Sequence, residues 1–169
     1  METIYFKGIE CHTYGEVPEV GEKAPCFNLV TPELKEIHCE EYRGKRVVLN
    51  VFPSLDTPVC AASVRRFNEE AAKLDNTVVL CVSMDLPFAA GRFCEAEGIK
   101  NVTAASAFRS PMFAERFGLQ IVDGPLAGLL ARAVIIVDED RKIIYRDLVR
   151  EITEEPKYKE ALEVLSAAK

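Results

Sequence analysis

The residues best suited to chemistry stand together in one short loop, Pro53-Ser54-Leu55-Asp56-Thr57-Pro58-Val59-Cys60. Cysteine is a strong nucleophile, but it reacts as the thiolate, which forms where positive charge or hydrogen-bond donors hold it. The first turn of a helix is such a place, because its backbone N–H groups are unpaired and it carries the positive end of the helix dipole. Thr57, three residues before Cys60, offers a hydroxyl that both donates and accepts, while Pro53 and Pro58 stiffen the loop and limit water around the sulfur. Cys60 is the candidate nucleophile, and the loop suits holding a small polar molecule against it. Ionising a thiol gains little rate by itself. Any large acceleration has to come from binding the second reactant in line and stabilising its departing charge.

Two elements must position this loop. Residues 47–52, Val-Val-Leu-Asn-Val-Phe, are a β-branched apolar run that reads as a buried strand. After the loop, Ala61, Val64, Phe67, Ala71 and Leu74 recur every three or four residues, with Arg65, Arg66, Glu69, Glu70 and Lys73 on the other side. That pattern predicts an amphipathic helix with Cys60 in its first turn. A second apolar strand over residues 77–84 completes a βαβ unit.

Residues 87–97 predict a short helix capped by Gly98, with Cys94 near its end. A strand is expected over 102–107, and Ser110-Pro111 opens a helix that Gly118 stops. The chain loosens over 120–128, where Asp123-Gly124-Pro125 is a turn signal. Residues 131–137 and 142–145 then make an antiparallel hairpin, and 155–168 a closing helix. The first 45 residues read as a short hairpin followed by an irregular arm. The order βαβα, then βα, then ββα, predicts an α/β fold: a central mixed thioredoxin-like sheet flanked by helices, with an N-terminal hairpin, as one domain over residues 1–169.

The bulk composition agrees with a soluble globular chain: 169 residues, 49% apolar and 28% charged. A net charge of -6 without a clustered Lys/Arg tract argues against nucleic acid or an anionic membrane as the main partner. No stretch approaches the roughly 20 apolar residues of a membrane span, and the first ten residues lack a leader pattern, so the expected compartment is the cytoplasm. Six cysteines without framework-like spacing also suit a reducing compartment.

The other cysteines have blander readings. Cys81, mid-strand among valines, reads as core, and Cys26 as a small, partly buried apolar residue. Cys11-His12 and His38-Cys39 contain the residue types of a zinc site. Neighbours in an extended segment point to opposite faces, however, and neither pair has ligand spacing, so no metal is expected. Thr57 and Ser63 exclude both Cys-x-x-Cys registers around Cys60, which disfavours a dithiol oxidoreductase; a Cys–His pair would have to use His12 or His38, and neither has a supporting motif. An arginine opening an apolar strand, as Arg132 does, is on residue type alone a solvent-edge charge.

Pro53, Thr57 and Cys60 match the Pro-x-x-x-Thr-x-x-Cys motif of the peroxiredoxins, and the chain resembles their bacterial thiol peroxidase subfamily almost throughout. Asn50 to Cys60, then Ser83-Met84-Asp85-Leu86-Pro87-Phe88-Ala89 with Arg92-Phe93-Cys94, then Gly128-Leu129-Leu130-Ala131-Arg132-Ala133, follow that subfamily in order and spacing. The resemblance implies an atypical two-cysteine peroxidase in which Cys60 attacks a hydroperoxide and forms a sulfenic acid. Cys94 is implied as the resolving cysteine of the same chain, and Arg132, Thr57 and Pro53 as active-site residues. Position 65 is Arg and the C-terminal tail has no cysteine, so the other known resolving positions are vacant. The implied substrates are hydrogen peroxide and organic hydroperoxides, the implied reductant thioredoxin or a similar dithiol, and the implied assembly a homodimer, with no cofactor. The competing class is a non-enzymatic thioredoxin-fold redox sensor or binding module.

Overall fold

The computed structural model describes residues 1–168. A hairpin of β1 (Thr3–Phe6) and β2 (Ile9–His12) comes first, then a second hairpin of β3 (Asn28–Val30) and β4 (Glu36–His38), which ends in a short 3-10 helix, Cys39–Tyr42. The centre follows as β5 (Arg46–Val51), α1 (Pro58–Ala71), β6 (Thr77–Ser83), α2 (Pro87–Glu97), β7 (Thr103–Ser106) and α3 (Pro111–Arg116). The chain closes with β8 (Ala133–Val137), β9 (Ile143–Leu148) and α4 (Tyr158–Ala167). Seven strands make one mixed sheet in the order β4-β3-β7-β6-β5-β8-β9, with β5, β6 and β7 parallel and β8 antiparallel to β5.

The strand β5 is buried along its whole length, as its unbroken apolar run predicts, because both faces of the sheet are covered. Val47, Leu49 and Val51 point into a core with Phe27, Phe113 and Phe117, whose rings pack at centroid distances of 4.8 to 6.4 Å. Val48 and Phe52 point the other way, against Val64 and Phe67 of α1 and Ala161 and Leu165 of α4. The strand period of two thus divides the interior into two cores, one on each face of the sheet.

The arm expected to be irregular contains β3 and β4. These are three-residue strands, too short to show a period, and they gain their place by pairing with each other and, through Val30, with Ser106 of β7. Elsewhere the expected elements form with small shifts at their ends, and α2 runs over Pro87–Glu97 with Gly98 in the left-handed conformation as its cap. No helix among the described residues is long and apolar enough to cross a membrane.

After α3 the turn depends on Gly118, which has φ +64°, and a Cβ there would run into the main chain of Glu16. Both the conformation and the contact exclude a side chain without backbone movement. Gly118→Ala should cost about 1–3 kcal/mol, lowering the melting temperature by several degrees. Thermal unfolding followed by circular dichroism checks this; an unchanged midpoint would contradict it.

Candidate active site

Cys60 occupies the third position of α1. Thr57 caps the helix with an extended backbone (φ -111°, ψ 144°), Pro58 takes the first helical position, and the Ala61 N–H donates to the Thr57 carbonyl. Proline fits there because its missing N–H would have no intrahelical partner anyway. The Thr57 hydroxyl does not cap the helix; it donates to the Ser54 carbonyl at 3.0 Å, which leaves its oxygen lone pairs free.

The sulfur of Cys60 is buried, and its charged neighbour is Arg132, whose Nη2 lies 3.2 Å from it. Arg132 directly precedes β8, and the antiparallel register pairs Ala133 with Val51, the last residue of β5. The arginine is therefore delivered to the same end of the sheet as the loop that leaves β5. It is buried too, and far from a solvent-edge charge: its Nε donates to the Ile152 carbonyl at 2.7 Å, and its Nη1 has no partner among the described residues. A cavity of about 240 Å³ opens beside the pair, lined by Pro53, Ser54, Thr57, Arg132, Leu126 and Leu129 among others. Cys60 does not line it directly. The residues that flank the sulfur do.

Asp85, which follows β6, holds the loop in place. Its carboxylate accepts from the Ser54 hydroxyl at 2.8 Å, the Leu55 N–H at 2.7 Å and the Ser83 hydroxyl at 2.7 Å, and its carbonyl accepts from the Ser106 hydroxyl. One residue, through its carboxylate and its main-chain carbonyl, thus ties the ends of β6 and β7 to the loop that carries Thr57. From β5, the Asn50 amide donates to the Ser63 hydroxyl of α1 at 3.1 Å, and that hydroxyl donates to the Cys60 carbonyl at 2.7 Å. Residue types alone do not reveal Asp85, Ser54 or the Ile152 carbonyl as members of the site; Asp85 enters the sequence reading only inside a matched stretch.

Cys94 lies in the last turn of α2, half buried, packed against the same core that contains Cys60, and both are free thiols. Burial pushes the Cys94 thiol up, helped by the carboxylate of Glu33. Cys81 is fully enclosed, and burial drives its thiol to about 12 even though the Asn50 amide hydrogen-bonds it. Burial also raises the Cys11 thiol, with help from Asp123.

Cys26 and Cys39 depart from their sequence reading. They are joined in a disulfide with Cα atoms 5.4 Å apart. His38 sits against them, its Nε2 3.4 Å from the Cys26 sulfur. The rule that neighbouring residues face apart fails for His38 and Cys39 because β4 ends at His38 and the chain turns into the 3-10 helix. Cys26, His38 and Cys39 thus converge, whereas His12 pairs instead with Asp123 at 2.7 Å. Two sulfurs bonded to each other offer no thiolate to a cation.

Comparison with known proteins agrees with this geometry. The Redoxin family model matches residues 19–162. The chain is 55% identical over 166 residues to a thiol peroxidase of Corynebacterium glutamicum, covering 98% of this chain and 100% of that protein. It is 53% identical over 167 residues to a thiol peroxidase of Mycobacterium bovis, with 99% and 100% covered. Among solved structures, a peroxiredoxin-like protein from Aquifex aeolicus superposes with a TM-score of 0.95 at 42% identity, covering 100% of this chain and 98% of that one. A cysteine at a helix start beside a buried arginine, in a chain so similar along its length to these proteins, belongs to the Redoxin family and, within it, to the thiol peroxidases.

Proposed function

We propose that the peroxidase reaction runs through Cys60, with Arg132 and Thr57 holding the hydroperoxide and Cys94 resolving the product. The observation that carries this reading is the Arg132 guanidinium. One of its nitrogens contacts the Cys60 sulfur, while Nη1 is buried without a partner beside the cavity. A buried, unpaired donor costs free energy unless something occupies it, and a peroxide oxygen would.

The Cys60 thiolate attacks one peroxide oxygen, and the O–O bond breaks. The departing oxygen leaves as water or alcohol after taking up a proton, and Cys60 becomes a sulfenic acid. Arg132 stabilises the thiolate and the oxygen charge that develops as the O–O bond breaks, and it never loses its own charge. Thr57 donates its own hydroxyl hydrogen to the Ser54 carbonyl, so its oxygen is free to accept a hydrogen bond from the bound hydroperoxide. Cys94 then condenses with the sulfenic acid, releasing water and forming a disulfide within the chain. An external dithiol, thioredoxin or a similar protein, returns both cysteines to thiols. Hydrogen peroxide and organic hydroperoxides are the proposed substrates, and the proposed unit is a homodimer of one-domain chains acting in the cytoplasm.

Cys60→Ser should abolish turnover, measured as peroxide consumed per enzyme in the presence of dithiol. Cys11, Cys26, Cys39 and Cys81 should each tolerate serine with peroxidase activity retained, any penalty at buried Cys81 falling on stability. Turnover surviving in Cys60→Ser would end the proposal.

For Arg132, lysine keeps the charge but loses the planar fork of donors. Arg132→Lys should fold normally and lose about a hundredfold to a thousandfold in rate. A near-wild-type rate would reduce Arg132 to a buried structural charge.

Cys94→Ser should consume one equivalent of peroxide, accumulate sulfenic acid at Cys60 and fail to cycle with thioredoxin. A disulfide needs Cα atoms within about 7 Å; if the reduced protein holds these two farther apart, the ends of α1 and α2 that carry the cysteines rearrange in the oxidised form. In the reduced protein the raised Cys94 thiol is mostly protonated at neutral pH. Its alkylation should therefore accelerate only as pH rises beyond the ordinary thiol range. Peptide mapping after one equivalent of peroxide should find a Cys60–Cys94 bond within one chain; a different partner would overturn the role of Cys94.

A further inference from the structure

The Cys26–Cys39 disulfide lies on the sheet face opposite Cys60. Cys39 belongs to the core with Phe27 and Phe113, whereas Cys60, Cys81 and Cys94 belong to the other. β6 and β7 also separate β3 from β5 in the sheet order. The peroxide chemistry proposed for Cys60 makes no use of this second pair.

Its surroundings are those of an exchange site. The Glu40 N–H donates to His38 Nδ1 at 3.2 Å, so in the neutral ring the proton sits on Nε2, which points at the Cys26 sulfur 3.4 Å away. Such a donor stabilises a thiolate at Cys26 when the bond opens. The two sulfurs are unequal in access: Cys39 is only 5% exposed, while Cys26 is partly exposed and lines a pocket of about 300 Å³. The pocket is also lined by His38, Arg109, Arg116 and Glu36, and among the described residues neither arginine forms an ion pair, so its free charge is positive.

We propose that Cys26 and Cys39 are a second redox-active pair, which exchanges through Cys26 with a carboxylate-bearing low-molecular-weight thiol bound beside Arg109 and Arg116. The thiolate of the small molecule attacks the Cys26 sulfur, the Cys26–Cys39 bond breaks, and Cys39 leaves as thiolate. A second small thiolate attacks the sulfur of the first in the mixed disulfide, forming the small-molecule disulfide and releasing Cys26. Two small thiols are oxidised, the protein disulfide gains two electrons, and the two thiol protons pass to Cys26 and Cys39. Run backwards, the same steps reduce the small disulfide.

The bland alternative is a staple that only clamps the ends of the β3–β4 hairpin, since the bond joins residues 13 apart in sequence on either side of it. The test uses the oxidised full-length protein under native conditions with glutathione, which carries two carboxylates, and cysteamine, which carries none. Glutathione should reduce the bond without unfolding the protein. In Cys39→Ser, glutathione disulfide should modify Cys26, as read by mass spectrometry. Arg109→Gln combined with Arg116→Gln should slow glutathione exchange by about tenfold and leave cysteamine exchange unchanged. Cys60→Ser should behave as wild type in all of these assays, so failure of the peroxidase reading and failure of this one are separable. A bond that opens only on denaturation, modification at Cys39 in Cys26→Ser with none at Cys26 in Cys39→Ser, equal sensitivity of both probes to the arginine changes, or reduction by a protein dithiol alone would each overturn the proposal.

Discussion

A guanidinium buried against a sulfur is the constraint around which this end of the molecule is built. An uncompensated buried charge is costly, so Arg132 needs partners in fixed positions. It finds two: the Ile152 carbonyl on Nε and the Cys60 sulfur on Nη2. Both depend on the register of β8. Ala133 lies opposite Val51, so Arg132 extends beyond the sheet where the chain leaves β5 for the Cys60 loop. A slip of one residue in that pairing would turn Arg132 to the opposite face, into the core that does not contain Cys60. The apolar faces of β5 and β8, which would be reversed by the same slip, hold the register.

The loop faces a second constraint, because a cysteine at a helix start is useful only if the residues before it keep their geometry. Asp85 supplies that from just beyond the end of β6. By accepting from Ser54, Leu55 and Ser83 it uses most of its acceptor capacity to fix a turn three residues from Thr57, and Thr57 in turn is held by the Ser54 carbonyl. The parallel pairing of β5 with β6 makes this possible, since Val51 pairs with Val82 and both strands end at the same level. The site is thus preorganised by sheet topology first and by hydrogen bonds second.

What could be read from the sequence follows the range of the forces involved. Long apolar or periodic segments such as β5, β6 and α1 declare themselves, and α2 has its end marked by Gly98. The loop of Cys60 is visible because its residues are neighbours in the chain. The contact of Arg132 with Cys60 spans 72 residues and rests on strand register; composition at position 132 favours a surface charge, and only the resemblance of its flanking residues suggested otherwise. The β3–β4 hairpin has no period to read, so Cys26 and Cys39 looked unrelated, and the turn after His38 undid the argument that its neighbour must face away. A main-chain carbonyl such as that of Ile152 has no signature in residue type at all.

The six cysteines differ in reactivity because the same fold treats them differently. Cys81 is sealed in the centre of the sheet, where its thiol sits at about 12 and is inert at any physiological pH. Cys94 is half covered at a helix end, where burial holds it as a thiol, which suits the resolving role proposed for it better than a first attack. Cys60 alone among the free thiols has an arginine on its sulfur. The proposed nucleophile and its proposed partner are thus separated by placement: Cys60 at the start of a helix beside a fixed cation, Cys94 at the end of a helix in an apolar setting. In the proposed reaction that ordering sets the direction: the first oxidation falls on the sulfur with the arginine, and the thiol at the other helix end then has only one electrophile to meet.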